Sequence, residues 1–341
     1  MTVKHRLGEY PVSFGSLSGA LKSCPDDAVV LTDSNVNRHW GAWALERWPV
    51  HAVTPGEGSK SIATYQTCLQ WLAETGASRR TVVIALGGGV VGDLAGFVAA
   101  TYMRGIPLLQ IPTTLLSMVD SSVGGKVGID LPHGKNLVGA FYPPTAVHVC
   151  LETLSTLAER EFSNGMAEVV KYGFILDESI LQNIEGGHVE SSSAGLEALI
   201  SRCIELKARV VEEDELETKG RRAILNFGHT VGHALEKATG YGPLLHGEAI
   251  SIGMVVETAL GESLGITQTG MISRVREHLL RQRLPITHAA LMHTDELIQT
   301  MRSDKKATSG NLAFSLVTEP GACKLVENVP PGAVEAALRA C

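Results

Sequence analysis

No stretch of this chain approaches the ~20 consecutive apolar residues that a membrane span requires. The opening Met1-Thr2-Val3-Lys4-His5-Arg6 has no apolar run of the kind a secretory signal carries, so a cytoplasmic protein is expected. Positive charge is also in deficit. Lys and Arg number 29 against 36 Asp and Glu, a formal net charge of -7, which argues against a general nucleic-acid binder. An anionic ligand must therefore be drawn by a local cluster of Lys and Arg. The six cysteines (Cys24, Cys68, Cys150, Cys203, Cys323 and Cys341) include no close pair that would mark a zinc knuckle or redox motif, and reduced thiols are expected. There is no internal repeat, low-complexity tract or long linker. At 341 residues, 44% of them hydrophobic and 19% charged, the chain reads as a globular protein of two domains.

The first half alternates short β-branched runs with helical stretches. Ala28–Asp33, Val50–Val53, Thr81–Leu86 and Leu108–Pro112 are continuous apolar runs bounded by Gly or Pro, the pattern of buried parallel strands in βαβ units. A Rossmann-like α/β domain is expected over 1–151. From there the spacing turns helical, over Glu152 to Glu161, Ser163 to Leu176, Gly195 to Glu215, Gly228 to Thr239 and His246 to Leu264. A mainly α-helical domain is expected over 152–341.

Gly87-Gly88-Gly89-Val90-Val91-Gly92-Asp93 follows a predicted strand and opens a predicted helix, where a phosphate-cradling turn belongs. It satisfies G-x-G-x-x-G, a weak signal by itself, and no acidic residue stands about 20 positions on to bind a ribose. Asp33, at the end of an earlier strand, is an alternative ribose partner, with Glu57 and Lys60 in a neighbouring loop. A tight turn without a ligand is the plainer reading. Further on, Pro112 to Lys126 and Gly134-Lys135-Asn136-Leu137-Val138-Gly139 set Lys126, Lys135 and Asn136 among glycines, where ammonium groups and backbone amides together grip a phosphate.

Glu168 and Lys171 share one helical face between apolar neighbours. Such a pair is buried, and buried charges need a partner or a task. Arg221, Arg222, Asn226 and, upstream, Lys207 suit a carboxylate. Three imidazoles stand close in Leu225-Asn226-Phe227-Gly228-His229-Thr230-Val231-Gly232-His233 and His246-Gly247-Glu248, flanked by glycines that allow close backbone approach. His229 and His233 lie four apart on one helix face. A lone histidine is usually core or surface, whereas this trio points to a metal or acid/base site, with Glu168 available to complete a His₂Glu set for zinc or a similar ion.

Taken in order, these residues resemble the 3-dehydroquinate synthase family of the sugar-phosphate cyclase superfamily, most specifically over residues 86–105, 112–141, 165–173 and 225–254. The resemblance implies a dehydroquinate synthase-like fold, bound NAD, one divalent metal ion (Zn²⁺ or Co²⁺) and a homodimer. It also implies a lyase of the shikimate pathway, in chorismate and aromatic amino acid biosynthesis. The reaction takes 3-deoxy-D-arabino-heptulosonate 7-phosphate to 3-dehydroquinate and phosphate. It runs through transient oxidation by NAD, phosphate elimination, re-reduction, ring opening and intramolecular aldol closure. By motif position, Glu168, His229 and His246 are the implied metal ligands and His233 the implied proton-transfer group. Asp120, Lys126 and Lys171 are implied at the ring hydroxyls and the metal-bound oxygen. Lys207, Arg222 and Asn226 are implied at the substrate carboxylate. Lys126, Asn136 and Lys305 or Lys306 are implied at the phosphate, with Arg104 reaching the partner subunit's site. The cofactor positions are Asp33, Glu57, Lys60, Gly88, Gly89, Asp93, Thr113 and Thr114, together with Lys135. Glu217 to Arg222 is one residue longer than the family spacing, and Arg222 is preferred over Arg221 because its distance in sequence to Asn226 and His229 is intact. Another sugar-phosphate cyclase, or a metal-dependent alcohol dehydrogenase of related fold, is the alternative.

Overall fold

The structure, a computed structural model, describes residues 1–303 and 312–341. Asp304, Lys305 and Lys306 therefore lie outside the described residues. The chain forms two compact units, residues 1–158 with 200–216, and residues 159–199 with 217–341. A single cut between 151 and 152 is the simplest reading of the sequence; here the segment 200–216 instead returns to the N-terminal unit. Among its contacts there, Lys207 Nζ sits 2.8 Å from Asp120 Oδ1, and Glu212 accepts from the Lys4 amide at 2.9 Å. Helical periodicity in the sequence says that such a segment has an apolar face, but not which core takes it.

The first unit is built on a seven-stranded sheet of order β1-β2-β9-β6-β5-β3-β4. The strands are β1 (Thr2–His5), β2 (Gly8–Phe14), β3 (Ala28–Asp33), β4 (Val50–Val53), β5 (Val82–Gly87), β6 (Leu108–Pro112) and β9 (Ala146–Val149). All neighbours run parallel except β1 with β2. Side chains alternate across β3 and β5. Val29, Leu31, Val83 and Ala85 enter one core with Leu94 and Val98, while Val30, Ile84 and Leu86 enter another with Leu17, Leu21 and Trp48. The helices of this unit are α1 (Leu17–Ser23), α2 (Ser34–Trp40), α3 (Ala42–Leu45), α4 (Ile62–Glu74) and α5 (Gly89–Thr101). Four of the strands and α5 coincide with the sequence expectation to within a few residues.

A hairpin of β7 (Lys126–Leu131) and β8 (Gly134–Phe141) was not visible in the sequence, where this stretch reads as a glycine-rich loop. The glycines conceal the strands because they are what allows the pairing. A Cβ on Gly128 would stand 2.7 Å from the Val138 carbonyl oxygen, and one on Gly139 would run into that of Val127.

The second unit is helical: α6 (Glu159–Ile175), α7 (Ser179–Ile184), the start of α8 (Leu196–Glu213), α9 (His229–Ala238), α10 (His246–Ser263), α11 (Met271–Arg281), α12 (Thr294–Ser303) and α13 (Pro331–Ala340). The antiparallel strands β10 (Leu312–Glu319) and β11 (Ala322–Val329) join them. In place of two expected helices over 152–161 and 163–176, the chain makes a 3-10 turn over Leu151–Thr156 and then one helix, α6. α10 is buried on nearly all sides, as befits a central helix, and α9 lays Val231, Ala234 and Leu235 against its Ile252, Val256 and Leu260.

Candidate active site

In the first unit the expected cofactor residues gather at the carboxyl ends of the parallel strands, where α/β sheets bind ligands. β5 ends at Gly87 and α5 begins at Gly89. The side chains of Ser16, Asp33 and Ser61 cap α1, α2 and α4, whereas the cap of α5 is Gly88, which has no side chain to offer. The amides at the start of α5 thus point at whatever stands before them, an arrangement suited to a phosphate. The hydroxyls of Thr32 and Thr113, at the ends of β3 and β6, are buried and have no hydrogen-bond partner among the described residues. Orphaned donors beside an uncapped helix start fit a dinucleotide.

Lys60, only 4% exposed, donates to Asp93 Oδ2 at 2.8 Å and to Asn136 Oδ1 at 2.5 Å, with Glu57 at 3.6 Å. Burial opposes its charge, but Asp93 and Glu57 outweigh that and hold its pKa above the ordinary lysine range. Lys135 lies 4.0 Å from Glu57. Asp33 caps α2 through the Asn35 and Val36 amides, and the Thr114 methyl packs against Gly88. Asn136, read from sequence as a phosphate contact, is here a partner of Lys60. Lys126 is exposed at the start of β7, and Asp120 sits on a single π-helical turn, Ser117–Ser121, paired with Lys207. Arg104 is exposed, in a tight turn where Met103, Arg104 and Gly105 all have positive φ (48°, 69° and 119°).

In the second unit three helices converge. Glu168 of α6 is 1% exposed; its Oε1 lies 3.5 Å from His229 Nε2 of α9 and 3.6 Å from His246 Nε2 of α10. These ligand atoms all fall within 4.8 Å of one another. Lys171 Nζ contacts the other oxygen of Glu168 and is 2% exposed, so the buried pair expected from sequence is present. The set of two imidazole nitrogens and one carboxylate oxygen fits zinc or a similar divalent ion. Burial opposes charge on His246, but Glu168 at one ring nitrogen and Glu236 at the other outweigh it and raise its pKa to about 10. The two carboxylates therefore favour positive charge at His246.

His233 stands one turn from His229, their ring centres 5.4 Å apart, and groups with Glu236 and His246 in a second set of potential ligands. The two sets share His246, and the three ring centres stand 5.3, 5.4 and 6.0 Å from one another. Arg222 is buried while Arg221 is exposed, which favours Arg222; its Nε lies 3.6 Å from Glu217, a residue with a φ of 57°. Asn226 closes the 3-10 turn Arg221–Asn226 just before α9.

Close helix packing makes the convergence possible. A Cβ on Gly228 (φ 81°) would stand 2.6 Å from Met254 Cγ and 2.7 Å from the Ile250 carbonyl oxygen, and a Cβ on Gly253 would run into the Gly228 carbonyl oxygen. Sequence reasoning missed Glu236 and Glu257. The available signal was a carboxylate inside an otherwise apolar helical run, as in Ala234-Leu235-Glu236 and Val255-Val256-Glu257.

The description 3-dehydroquinate synthase N-terminal matches residues 50–164, and 3-dehydroquinate synthase C-terminal matches residues 165–307. The chain belongs to the 3-dehydroquinate synthase family. A 3-dehydroquinate synthase of Symbiobacterium thermophilum is 46% identical, covering 98% of this chain and 99% of that protein. Among solved structures, the family fold is shared with a 2-epi-5-epi-valiolone synthase of Streptomyces hygroscopicus with NAD⁺ and Zn²⁺ bound, at a TM-score of 0.89 and 26% identity over 97% of this chain and 96% of that one. It is shared too with a 2-deoxy-scyllo-inosose synthase complexed with carbaglucose-6-phosphate, NAD⁺ and Co²⁺, at a TM-score of 0.86 and 28% identity over 100% and 99%.

Proposed function

We propose that this chain catalyses the 3-dehydroquinate synthase reaction, closing 3-deoxy-D-arabino-heptulosonate 7-phosphate to 3-dehydroquinate with loss of phosphate, in the shikimate pathway. The observation that carries this is the convergence of the half-buried His229 and His246 on the buried Glu168 beside Lys171, in a chain of this family. When bound, NAD⁺ supplies a reversible oxidation of a substrate alcohol and the divalent ion polarises that alcohol.

In this reading Glu168, His229 and His246 hold the metal ion, and the Gly88–Gly89 turn with Asp33, Glu57, Lys60, Asp93, Thr113, Thr114 and Lys135 holds the dinucleotide. His233, beside but not among the ligands, takes a proton from the substrate hydroxyl. Lys171 orients the same oxygen and offsets the Glu168 charge. Asp120 and Lys126 position ring hydroxyls; Lys207, Arg222 and Asn226 bind the carboxylate; and Lys126, Asn136 and Lys305 or Lys306 restrain the leaving phosphate. The proposal extends to a cytoplasmic homodimer in which Arg104 reaches the site of the partner. Among the described residues, no helix is long and apolar enough to cross a membrane.

The test supplies the heptulosonate phosphate with catalytic NAD⁺ and Zn²⁺ or Co²⁺, then follows phosphate and dehydroquinate together. Equal release of both with no net NADH is expected. Phosphate without a carbocycle, or stoichiometric NADH, refutes the proposal. Turnover of a hexose or heptulose phosphate lacking the carboxylate, in preference to the acid, assigns the chain instead to the cyclases that its structural neighbours represent.

A further inference from the structure

Glu257 lies three turns into α10 and is fully buried, with Val255, Val256 and Leu260 as buried neighbours along the helix. A carboxylate in such surroundings needs strong hydrogen bonds. Both its oxygens receive backbone amides from another helix: Oε2 accepts from the Gly228 N–H at 2.7 Å, and Oε1 from the Val231 N–H at 3.1 Å. α9 begins at His229 with Gly228 as its cap, which has no side chain to bond the first amides. Glu257 does this work from 29 positions along the chain.

The Gly228 N–H belongs to the same rigid peptide unit as the Phe227 carbonyl. That carbonyl oxygen stands 3.1 Å from Nδ1 of His229. A carbonyl oxygen only accepts, so in this contact Nδ1 carries the hydrogen and the Nε2 lone pair is left facing Glu168, 3.5 Å away. A continuous line therefore runs from the Glu257 carboxylate, through the N–H and C=O of one peptide, to the imidazole of His229. Ligating histidines generally donate their second N–H to a carboxylate or a carbonyl, which fixes the tautomer and strengthens the ligand. Here a carboxylate and a carbonyl act in series, the first polarising the second.

We propose that Glu257 is a positioning residue for His229, holding the Phe227–Gly228 peptide so that the ring keeps the tautomer and orientation that present Nε2 to a metal ion. This rests on the reading of Glu168, His229 and His246 as ligands. The role differs from simple helix capping because it predicts a change in the metal's own signature.

The test uses the full chain loaded with Co²⁺. Glu257→Gln, close to isosteric, should weaken Co²⁺ by about 10-fold and Glu257→Ala by about 100-fold, the range typical of lost outer contacts. The visible d–d bands of bound Co²⁺ should shift in both. Thr258→Val is the control: it removes the bond from the Thr258 hydroxyl to the Met254 carbonyl, 2.6 Å long and buried in the same helix, without touching the peptide. It should lower Tm yet leave Co²⁺ affinity and spectrum unchanged. If Glu257→Gln binds Co²⁺ with native affinity and spectrum, or if Thr258→Val loses as much affinity for the same fall in Tm, the proposal is overturned. Should the native protein itself bind no stoichiometric Co²⁺, the ligand assignment fails, and the His229 ring tautomer, read from its imidazole ¹⁵N shifts, then decides the role of Glu257. Loss of the Nδ1-protonated tautomer in Glu257→Gln supports it, and an unchanged tautomer overturns it.

Discussion

His229 and His233 share a helix face and a neighbour, His246, but meet different carboxylates. His229 turns Nε2 to the Glu168 carboxylate, whereas His233 groups with Glu236 and His246 one turn further along. His229→Ala is expected to lose bound metal, measured as metal content after dialysis. His233→Ala is expected to keep a full complement while turnover falls by roughly 100-fold or more, the scale of a lost proton-transfer group. Equal metal loss in both would overturn the division of labour. Part of this was legible in the sequence: the histidine spacing and the Glu168 and Lys171 pair between apolar neighbours. The pairing of Lys60 with Asn136 and of Lys207 with Asp120 was not, because each joins residues more than 70 positions apart through side chains that sequence spacing leaves unconstrained.

Among elements, the contact between α9 and α10 decides the geometry of the candidate metal site. These helices meet backbone to backbone at Gly228 and Gly253, closer than side chains permit. Gly253→Ala is expected to destabilise the protein by about 1–3 kcal/mol, as other overpacked cores do, and to weaken metal binding as the histidines move apart. Urea unfolding with and without Zn²⁺ measures both effects. Gly186→Ala, where an added Cβ meets nothing within 4 Å, should change neither. The buried strands and both histidine helices could be read from periods of apolar residues, since burial on both sides of a sheet or one side of a helix writes itself into composition. The β7–β8 hairpin could not, because its close pairing selects glycines that resemble a loop.

For the molecule as a whole, a bound ion that favours the folded state adds stability by mass action. At 1,000 times its dissociation constant the gain is about 4 kcal/mol. Treatment with a chelator is therefore expected to lower Tm, and Zn²⁺ or Co²⁺ should restore it. Mg²⁺, which prefers oxygen ligands, should not restore it at the same concentration. Calorimetry of the stripped and reconstituted protein makes the comparison, and a Tm indifferent to chelation would speak against a resident ion.

The membership of residues 200–216 has a consequence for how this protein is made. The ribosome delivers 1–158 first, yet the helix that brings Lys207 to Asp120 emerges only after 159–199, which belong to the other unit. Another 58 residues separate position 158 from position 216, a wait of roughly 3–12 s at ordinary rates of synthesis. For that interval the nascent first unit must hold itself together with one of its own pieces still unmade.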